Sequence, residues 1–526
     1  MPFKPVLILF CTVLLLMGTK QVSAQENQII HLNNNVYTYV KNLQQRGHFS
    51  ALNPTKLPYT RGAIDEGLRQ IDRSMLSRTE RFWYDQIEQE AGIPQDNESE
   101  TYLYGMLEGG FDMNNTLSAD GLRPQDEEFY FIPNGASNLY GEKDGFAAQL
   151  GLRHDLFYDL DRIGETALSR FYVRSEDYYL GYNSDFFQAY VGKYQNLWAP
   201  YGEASTILSD NARSFDRLNI SVGPDWFKVS GIFGELDNLG RDGSFDRNGK
   251  NRINGTKRYI ALHRIDIQIL DNLRVGYFDG FIYSSGSSVP SLRYISPMNV
   301  FFFDRNTNPD NDEFNALFGG QIWWQYQNMT FNAQAMIDDI VIKDGRLETE
   351  IEPTTFAITN SINISKVTDI LDVGYEAEFI AYQTYNTDQA EGRYLYLRRG
   401  IANQYTDYAY VSGYARIHAH KWLSGLTLTP RISYLAQGEQ EINQDFIDRY
   451  PNGEVIDVIL TGTEEKRSRL SLDALYNPIP EFWVDASLGY NYTRDLGHVS
   501  GQTNSRITAR LEVGFRLDLD SFSFKN

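Results

Sequence analysis

Cysteine is the scarcest residue in this chain. One thiol, Cys11, stands in 526 residues. A lone thiol forms no internal disulfide and supplies no thiolate cluster for a metal. Positive charge is also short: 48 Lys and Arg stand against 69 Asp and Glu, for a net charge of -21. That balance argues against nucleic acid as a partner, because such binding rests on neutralising phosphates. Long apolar runs are missing after residue 17. No later stretch approaches the roughly 18 apolar residues of a membrane helix, and the mean hydropathy is -0.44.

The one apolar run lies at the start. Lys4 is followed by the apolar core Val6 to Met17, and Val22-Ser23-Ala24 forms a small-residue cleavage site before Gln25. Residues 1–24 are therefore expected to be a secretory signal peptide. Ile8-Leu9-Phe10 before Cys11 makes a poor lipobox. Cleavage removes the only thiol, together with Lys4 and Lys20, so two positive charges leave and the net charge becomes -23.

What the chain has in abundance is 35 Tyr, 31 Phe and 42 Gly. An exported, cysteine-free chain rich in aromatics and glycine fits a bacterial outer-membrane barrel. The strands of such barrels alternate apolar and polar residues, which keeps the average hydropathy low.

Residues 28–92 carry helical periodicity. Val36, Val40 and Leu43 share a face, and Gly47 ends that run. Thr60 is positioned to cap a second helix with Ile64, Leu68, Ile71 and Met75 on one side, and Ser77 or Thr79 to cap a third that ends at Gly92-Ile93-Pro94. Residues 25–100 are thus expected to be a small helical region followed by a polar linker at 95–100.

From about residue 101 the period changes to two. Phe482, Val484, Ala486, Leu488, Tyr490 and Tyr492 alternate with polar neighbours, as do Ile507 to Leu517, Leu426 to Tyr434 and Leu371 to Phe379. A sandwich and a membrane barrel both alternate in this way. Three features favour the barrel: strands of about 10 residues or more, short turns such as Asp271-Asn272 and Gln327-Asn328, and long polar connections such as 235–256, 304–313 and 438–466. About seventeen strand candidates are counted, one short of the even number a bacterial barrel should have. The missing one is sought near 394–400 or within 204–210. No fixed-period repeat points to a propeller or solenoid. The expected fold class is an all-β transmembrane barrel of about 18 antiparallel strands, occupying 101–526.

One stretch departs from strand character. Residues 192–218, GKYQNLWAPYGEASTILSDNARSFDRL, form a polar segment between two strands. Trp198, Pro200, Gly202, Ser205, Ile207, Leu208, Ser209, Asn211, Ala212 and Arg213 resemble the W-G-P-G…S-L-x-L-S-x-N-A-R signature of the Wzi capsule-assembly family. Ala199 and Tyr201 depart from it. Residues 258–284, Pro297 and 315–340 look like that family's central barrel, and 39–47 like its N-terminal region. The resemblance implies a periplasmic helical region at the barrel's inner mouth. It also implies a non-catalytic outer-membrane protein that binds capsular or extracellular polysaccharide, with membrane lipid and lipopolysaccharide as surroundings and no cofactor.

Within that stretch Trp198, Tyr201, Asp210, Asn211 and Arg213 are the candidates for sugar contact. An aromatic face stacks on a pyranose, while Asp, Asn and Arg hydrogen-bond its hydroxyls or pair with a uronate. The same residues serve equally as a lumen plug, with Asp210 and Arg213 pairing with wall charges such as Glu376, Glu378 and Arg431. The loop 242–255 fails the EF-hand pattern, since Gly255 falls where a Glu is required, and 304–313 reads likewise as a solvated loop. His263-Arg264 sits within a strand, His418 and His420 lack an acidic partner nearby in sequence, and no G-x-S-x-G stands at a strand-helix turn. A porin is the main alternative to the polysaccharide reading, and an outer-membrane hydrolase the lesser one.

Overall fold

The computed structural model describes residues 26–93, 101–117, 121–156, 160–161, 163, 173–238, 257–285, 294, 314–339, 342–343, 346–347, 355–387, 389–444 and 459–524. The expected signal peptide, the linker 95–100 and the acidic loops 242–255 and 304–313 lie outside the described residues, wholly or nearly so.

Three helices come first: α1 (Val36–Gln45), α2 (Arg61–Arg69) and α3 (Arg78–Ala91). Their starts follow from capping chemistry. The Thr60 side chain accepts from the Ala63 amide. Ser77 and Glu80 form a reciprocal capping box that satisfies two of the orphan amides of α3. Val36, Val40, Leu43, Ile64, Leu68, Trp83 and Ile87 make a dry core between them. Met75 does not join it. The second helix stops at Arg69, Asp72 caps a separate 3-10 turn over Arg73–Met75, and Met75 is left 80% exposed.

The strands follow in chain order. They are β1 (Thr101–Asn114), β2 (Tyr130–Lys143), β3 (Phe146–Asp155), β4 (Val173–Ser175), β5 (Tyr178–Asn183), β6 (Phe187–Lys193), β7 (Arg217–Val222), β8 (Phe227–Glu235), β9 (Lys257–Leu270), β10 (Leu273–Ser285), β11 (Phe314–Tyr326) and β12 (Met329–Asp339). After the two-residue pair β13 (Ile342–Lys343) and β14 (Arg346–Leu347) come β15 (Thr355–Thr368) and β16 (Leu371–Ile380). A second short pair, β17 (Leu395–Tyr396) and β18 (Arg399–Gly400), precedes β19 (Tyr408–His418), β20 (Leu426–Gln437), β21 (Glu465–Ile479), β22 (Phe482–Arg494) and β23 (Thr503–Phe524).

Each barrel strand pairs antiparallel with its neighbours, and β1 pairs with β23 to close the ring. Both β4 and β5 lie against β3, one at each end. They share a stave, so 19 strands make an 18-stave barrel. Sixteen of the seventeen candidates match staves, the one near 166 lies outside the described residues, and the staves absent from the sequence count are β2 and the one shared by β4 and β5, not the segments near 394–400 or 204–210. The outward face of β2 mixes Phe131 and Leu139 with Pro133, Gly135 and Ser137. Its inward face carries Ile132 and Tyr140 among polar residues, so the alternation is blurred. Residues 395–400 form only the small hairpin β17–β18 inside the ring of staves.

The closed barrel is apolar outside and polar inside. On β22 and β23, Leu488, Tyr490, Ile507, Phe515 and Leu517 are exposed, while Asn491, Thr508 and Arg516 are buried. A soluble barrel would have the reverse. An outward apolar face over a closed ring is the pattern of strands that face lipid. Among the described residues no helix is long and apolar enough to cross a membrane.

The two ends differ. At one, hereafter the turn end, strands join through a few residues, as at 144–145, 271–272 and 327–328. At the other, the loop end, the connections run long. The helical region sits at the turn end. Arg274 donates to the carbonyls of Ser50 and Ala51 at 2.8 and 3.1 Å, Ser365 to Gln45 at 3.2 Å and Gln86 to Pro478 at 3.3 Å. Asn27 reaches Glu142 at 2.8 Å.

Candidate functional site: a lumen filled from both ends

Around β5, β6 and β7 the wall is low, with strands of 6, 7 and 6 residues. The segment 194–216 leaves over this low wall and folds into the lumen. Leu197 exchanges both backbone hydrogen bonds with Leu57 of the helical region, at 2.9 and 3.1 Å. The chain then doubles back, with the Trp198 amide donating to the Leu208 carbonyl at 2.9 Å. Gln334, pointing in from β12, clamps both limbs. Its amide nitrogen donates to the Trp198 carbonyl at 2.5 Å, and its oxygen accepts from the Thr206 amide at 2.8 Å. Lys41 of α1 donates to the Tyr201 carbonyl at 2.7 Å and pairs with Glu203 at 3.0 Å.

A second segment, 381–407, lies over the first. The Tyr385 and Tyr394 hydroxyls donate to the Thr206 and Ile207 carbonyls at 2.9 and 2.8 Å, and the Ser209 amide donates to Ile401 at 3.0 Å. Trp198, Ile207, Leu208, Tyr385, Tyr394 and Leu395 form one buried cluster with the wall residues Leu262, Phe278, Ile282 and Leu317. From β9 the fully buried Arg258 donates to the Glu391 carbonyl at 2.8 Å and to Leu395 at 3.1 Å, and pairs with Asp237 at 3.4 Å. Asp237 also receives the Leu397 amide at 3.1 Å. This anchorage holds the hairpin tip Leu397-Arg398 at φ 49° and 66°. Such left-handed backbone costs a non-glycine residue about 1 kcal/mol or more and persists only where its surroundings enforce it.

The five candidate residues part company in this arrangement. Trp198 is 1% exposed. Its ring lies beneath the Arg264 guanidinium at 5.5 Å, and Arg264 is itself paired with Asp266 at 2.7 Å and bonded to Thr55. Tyr201 is half-buried and stacks on Tyr37 with ring centroids 5.4 Å apart. Asp210 is exposed. Asn211 donates to the Gly400 carbonyl at 2.7 Å and to Gln404 at 3.2 Å, latching one plug segment to the other. Arg213 is half-buried, close enough for its charge to act on Tyr396. Burial pushes the Tyr201 hydroxyl up, helped by the negative charges of Asp210, Asp485 and Glu512. Tyr201 thus lies within electrostatic reach of Asp485 on β22 and Glu512 on β23. The wall charges named as pairing partners are engaged elsewhere: Glu376 with Arg431 and Glu378 with Tyr408 at 2.5 Å.

The plug is eccentric. Against β9 to β15 the inward side chains are buried: Arg258, Arg264, Phe278, Asn332, Gln334 and Thr359. Across the lumen, several inward residues of β21 to β23, β1 and β2 are half-buried or exposed, namely Asp473, Asp485, Arg510, Glu512, Glu108, Asp112 and Asn138, although others such as Arg469, Asn491 and Arg516 are buried. One half of the lumen is packed and the other keeps open space.

Sequence reasoning did not find the residues that seat the helical region. Arg46 pairs with Asp372 at 2.9 Å and lies 4.6 Å from the Trp83 ring. His418 bonds the same Asp372 at 2.9 Å. The acid that His418 lacked in sequence comes from β16, next to β19 in the ring. The other histidine contacts go to Asp279 and the Tyr294 carbonyl from His263, to Gln149 from His31, to Trp83 from His420 and to the Thr463 carbonyl from His498. No serine is among these partners. Among the described residues no group of three or more His, Cys, Asp or Glu is placed to hold a metal.

An 18-stave antiparallel ring with a lipid-type exterior, short turns at one end and loops folded into its lumen has the fold of an outer-membrane β-barrel. Among solved structures the chain is similar in fold to Wzi, described as an outer membrane protein involved in group 1 capsule assembly in Escherichia coli and a carbohydrate-binding β-barrel. The identity is 12% and the TM-score 0.60, over 95% of this chain and 100% of that one. It also aligns with two Pseudomonas aeruginosa proteins. For OccD3 the identity is 10% and the TM-score 0.46, over 80% of this chain and 91% of the other. For OprD the identity is 10% and the TM-score 0.44, over 80% and 96%. No family model matches the chain, and no curated protein matches it in sequence.

Proposed function

We propose that this chain is a non-catalytic carbohydrate-binding barrel of a bacterial outer membrane that holds capsular or other surface polysaccharide at the cell exterior. Residues 1–24 direct its export, the helical region faces the periplasm and the loop end faces outward. That orientation follows from short turns inside and long loops outside. One observation carries the reading. The chain packs one half of its lumen with its own wall-bonded segments, where a passive pore would keep water across the whole section. The same segments bring Asp210, Asn211 and Arg213 together as a polar group suited to sugar hydroxyls, and Arg213 to an acidic sugar's carboxylate. Trp198 acts here as the packing anchor of that surface, with Tyr201 beneath it. Likeness in fold to a carbohydrate-binding barrel over nearly the whole of both chains supports the reading.

The test is direct. Cells displaying the protein should capture labelled surface polysaccharide, and deleting the gene should release cell-attached polysaccharide into the medium. If purified protein binds none of the host's surface glycans and deletion leaves the attached amount unchanged, the reading fails. A steady single-channel conductance from the unaltered protein would favour a porin instead.

A further inference from the structure

We propose that the open half of the lumen ends, at the turn end, in a binding cavity for a neutral sugar unit. The cavity has a volume of about 380 Å³, lies between residues 28–34, the end of α3 and the inward faces of β1, β2, β3 and β23, and is of a size that takes a small ligand. Exposed Glu88 and Gln89 stand at its rim, so it opens at the turn end. It lies apart from the Asp210 to Arg213 surface and stands on its own lining.

Three features of that lining select the ligand. The first is an aromatic wall. Tyr102 and Tyr104 lie 6.2 Å apart with an interplanar angle of 15°, and Tyr140 stands 6.4 Å from Tyr102. Tyr102 and Tyr140 are buried and back the half-buried Tyr104, which offers an apolar surface to the C–H face of a pyranose. The second is polar capacity left unused. Glu108 and Asn138 line the cavity half-buried, and neither side chain makes a hydrogen bond with the described residues. Most half-enclosed polar groups find partners. A carboxylate accepts from hydroxyls, and an amide both donates and accepts, which matches adjacent sugar hydroxyls. The third is charge. Glu88, Glu90, Glu108 and Asp518 face Arg61, Arg516 and the imidazole of His31 in the lining, and Arg516 is already engaged by Glu90 at 2.7 Å and Asp518 at 3.1 Å. The surplus of carboxylates disfavours uronates and phosphates and leaves neutral sugars as the fitting class.

The experiment uses the full-length protein in detergent and saturation-transfer NMR, with glucose, galactose and N-acetylglucosamine as probes and glucuronate as the acidic comparison. At least one neutral sugar should receive saturation, and glucuronate should bind more weakly. Glu108→Leu and Asn138→Leu should each weaken that binding about tenfold, the effect of one or two lost hydrogen bonds. Heat-modifiable migration on gels verifies that each variant folds, and either folded variant suffices. Glycan capture by displaying cells should persist in the folded Glu108→Leu variant, which separates this cavity from the Asp210 to Arg213 surface. No transfer to any neutral sugar, tighter binding of glucuronate, or unchanged affinity in the folded Leu variants overturns the proposal.

Discussion

Trp83 donates its indole N–H to His420 Nε2 at 3.2 Å across the seam between α3 and the barrel. That contact requires a neutral imidazole. Burial, then the neighbouring His418 and Arg46, lower the His420 pKa to about 3. The unfolded imidazole takes its proton near its ordinary value of about 6.5, whereas the folded one refuses it until about 3. Stability should therefore be full above that ordinary value and fall as pH drops from there toward the folded one. Trp83 fluorescence in denaturant titrations reads this directly, and His420→Gln should flatten the dependence. Beside it, Asp372→Leu leaves Arg46 and His418 buried without their acceptor. A loss of about 3 kcal/mol is expected for breaking such a pair, measured as an earlier release of the helical region. Arg46→Met in the same background should restore part of it. None of this was legible locally. Arg46 and Asp372 are separated by 326 positions, and nothing near either residue marks the other.

At the scale of elements, local chemistry was more readable. The caps at Thr60 and Ser77 follow from side chains that accept amides within their own turn, so the starts of α2 and α3 were visible. The alternation of β22 and β23 was visible for the same reason, since it is written in consecutive residues. The stave β2 was not, because small and proline residues occupy its lipid side. The plug segment depends on one wall residue in a way the sequence does not show. Gln334→Leu should leave the buried Thr206 amide without its acceptor, at about 1–3 kcal/mol, while the Trp198 carbonyl keeps the Ser205 hydroxyl at 3.2 Å. Faster hydrogen exchange across 194–216, with the strands unchanged, is the expected result. Unaltered exchange there would mean the plug is held by packing alone.

For the whole molecule, the packed half and the open half of the lumen decide behaviour together. Replacing 196–212 by a short Gly-Ser linker should remove Trp198 and its buried cluster. It should produce single-channel conductance steps in planar bilayers where the intact protein shows none, and it should abolish glycan capture by displaying cells. On the exterior, Leu488→Arg places a charge on the lipid face. A cost of about 2–4 kcal/mol is expected if the site lies near the bilayer midplane, measured by refolding into vesicles.

By itself the sequence determined the change from helical to strand periodicity near residue 101, the acidic character with a single thiol, and the starts of the second and third helices. Each of these is set by residues adjacent in the chain. Period two also determined that the strands have one apolar and one polar face. Which face meets water was decided only by closure, when β23 paired with β1 and turned the apolar sides out. Tertiary structure likewise decided the fate of the 192–218 stretch. Its Trp198 is enclosed because Arg264, Gln334 and Leu208 converge on it from three places in the chain, while Asp210, twelve positions on, stays exposed. Burial depends on what arrives from afar, and that is a property of the folded ring rather than of neighbouring residues.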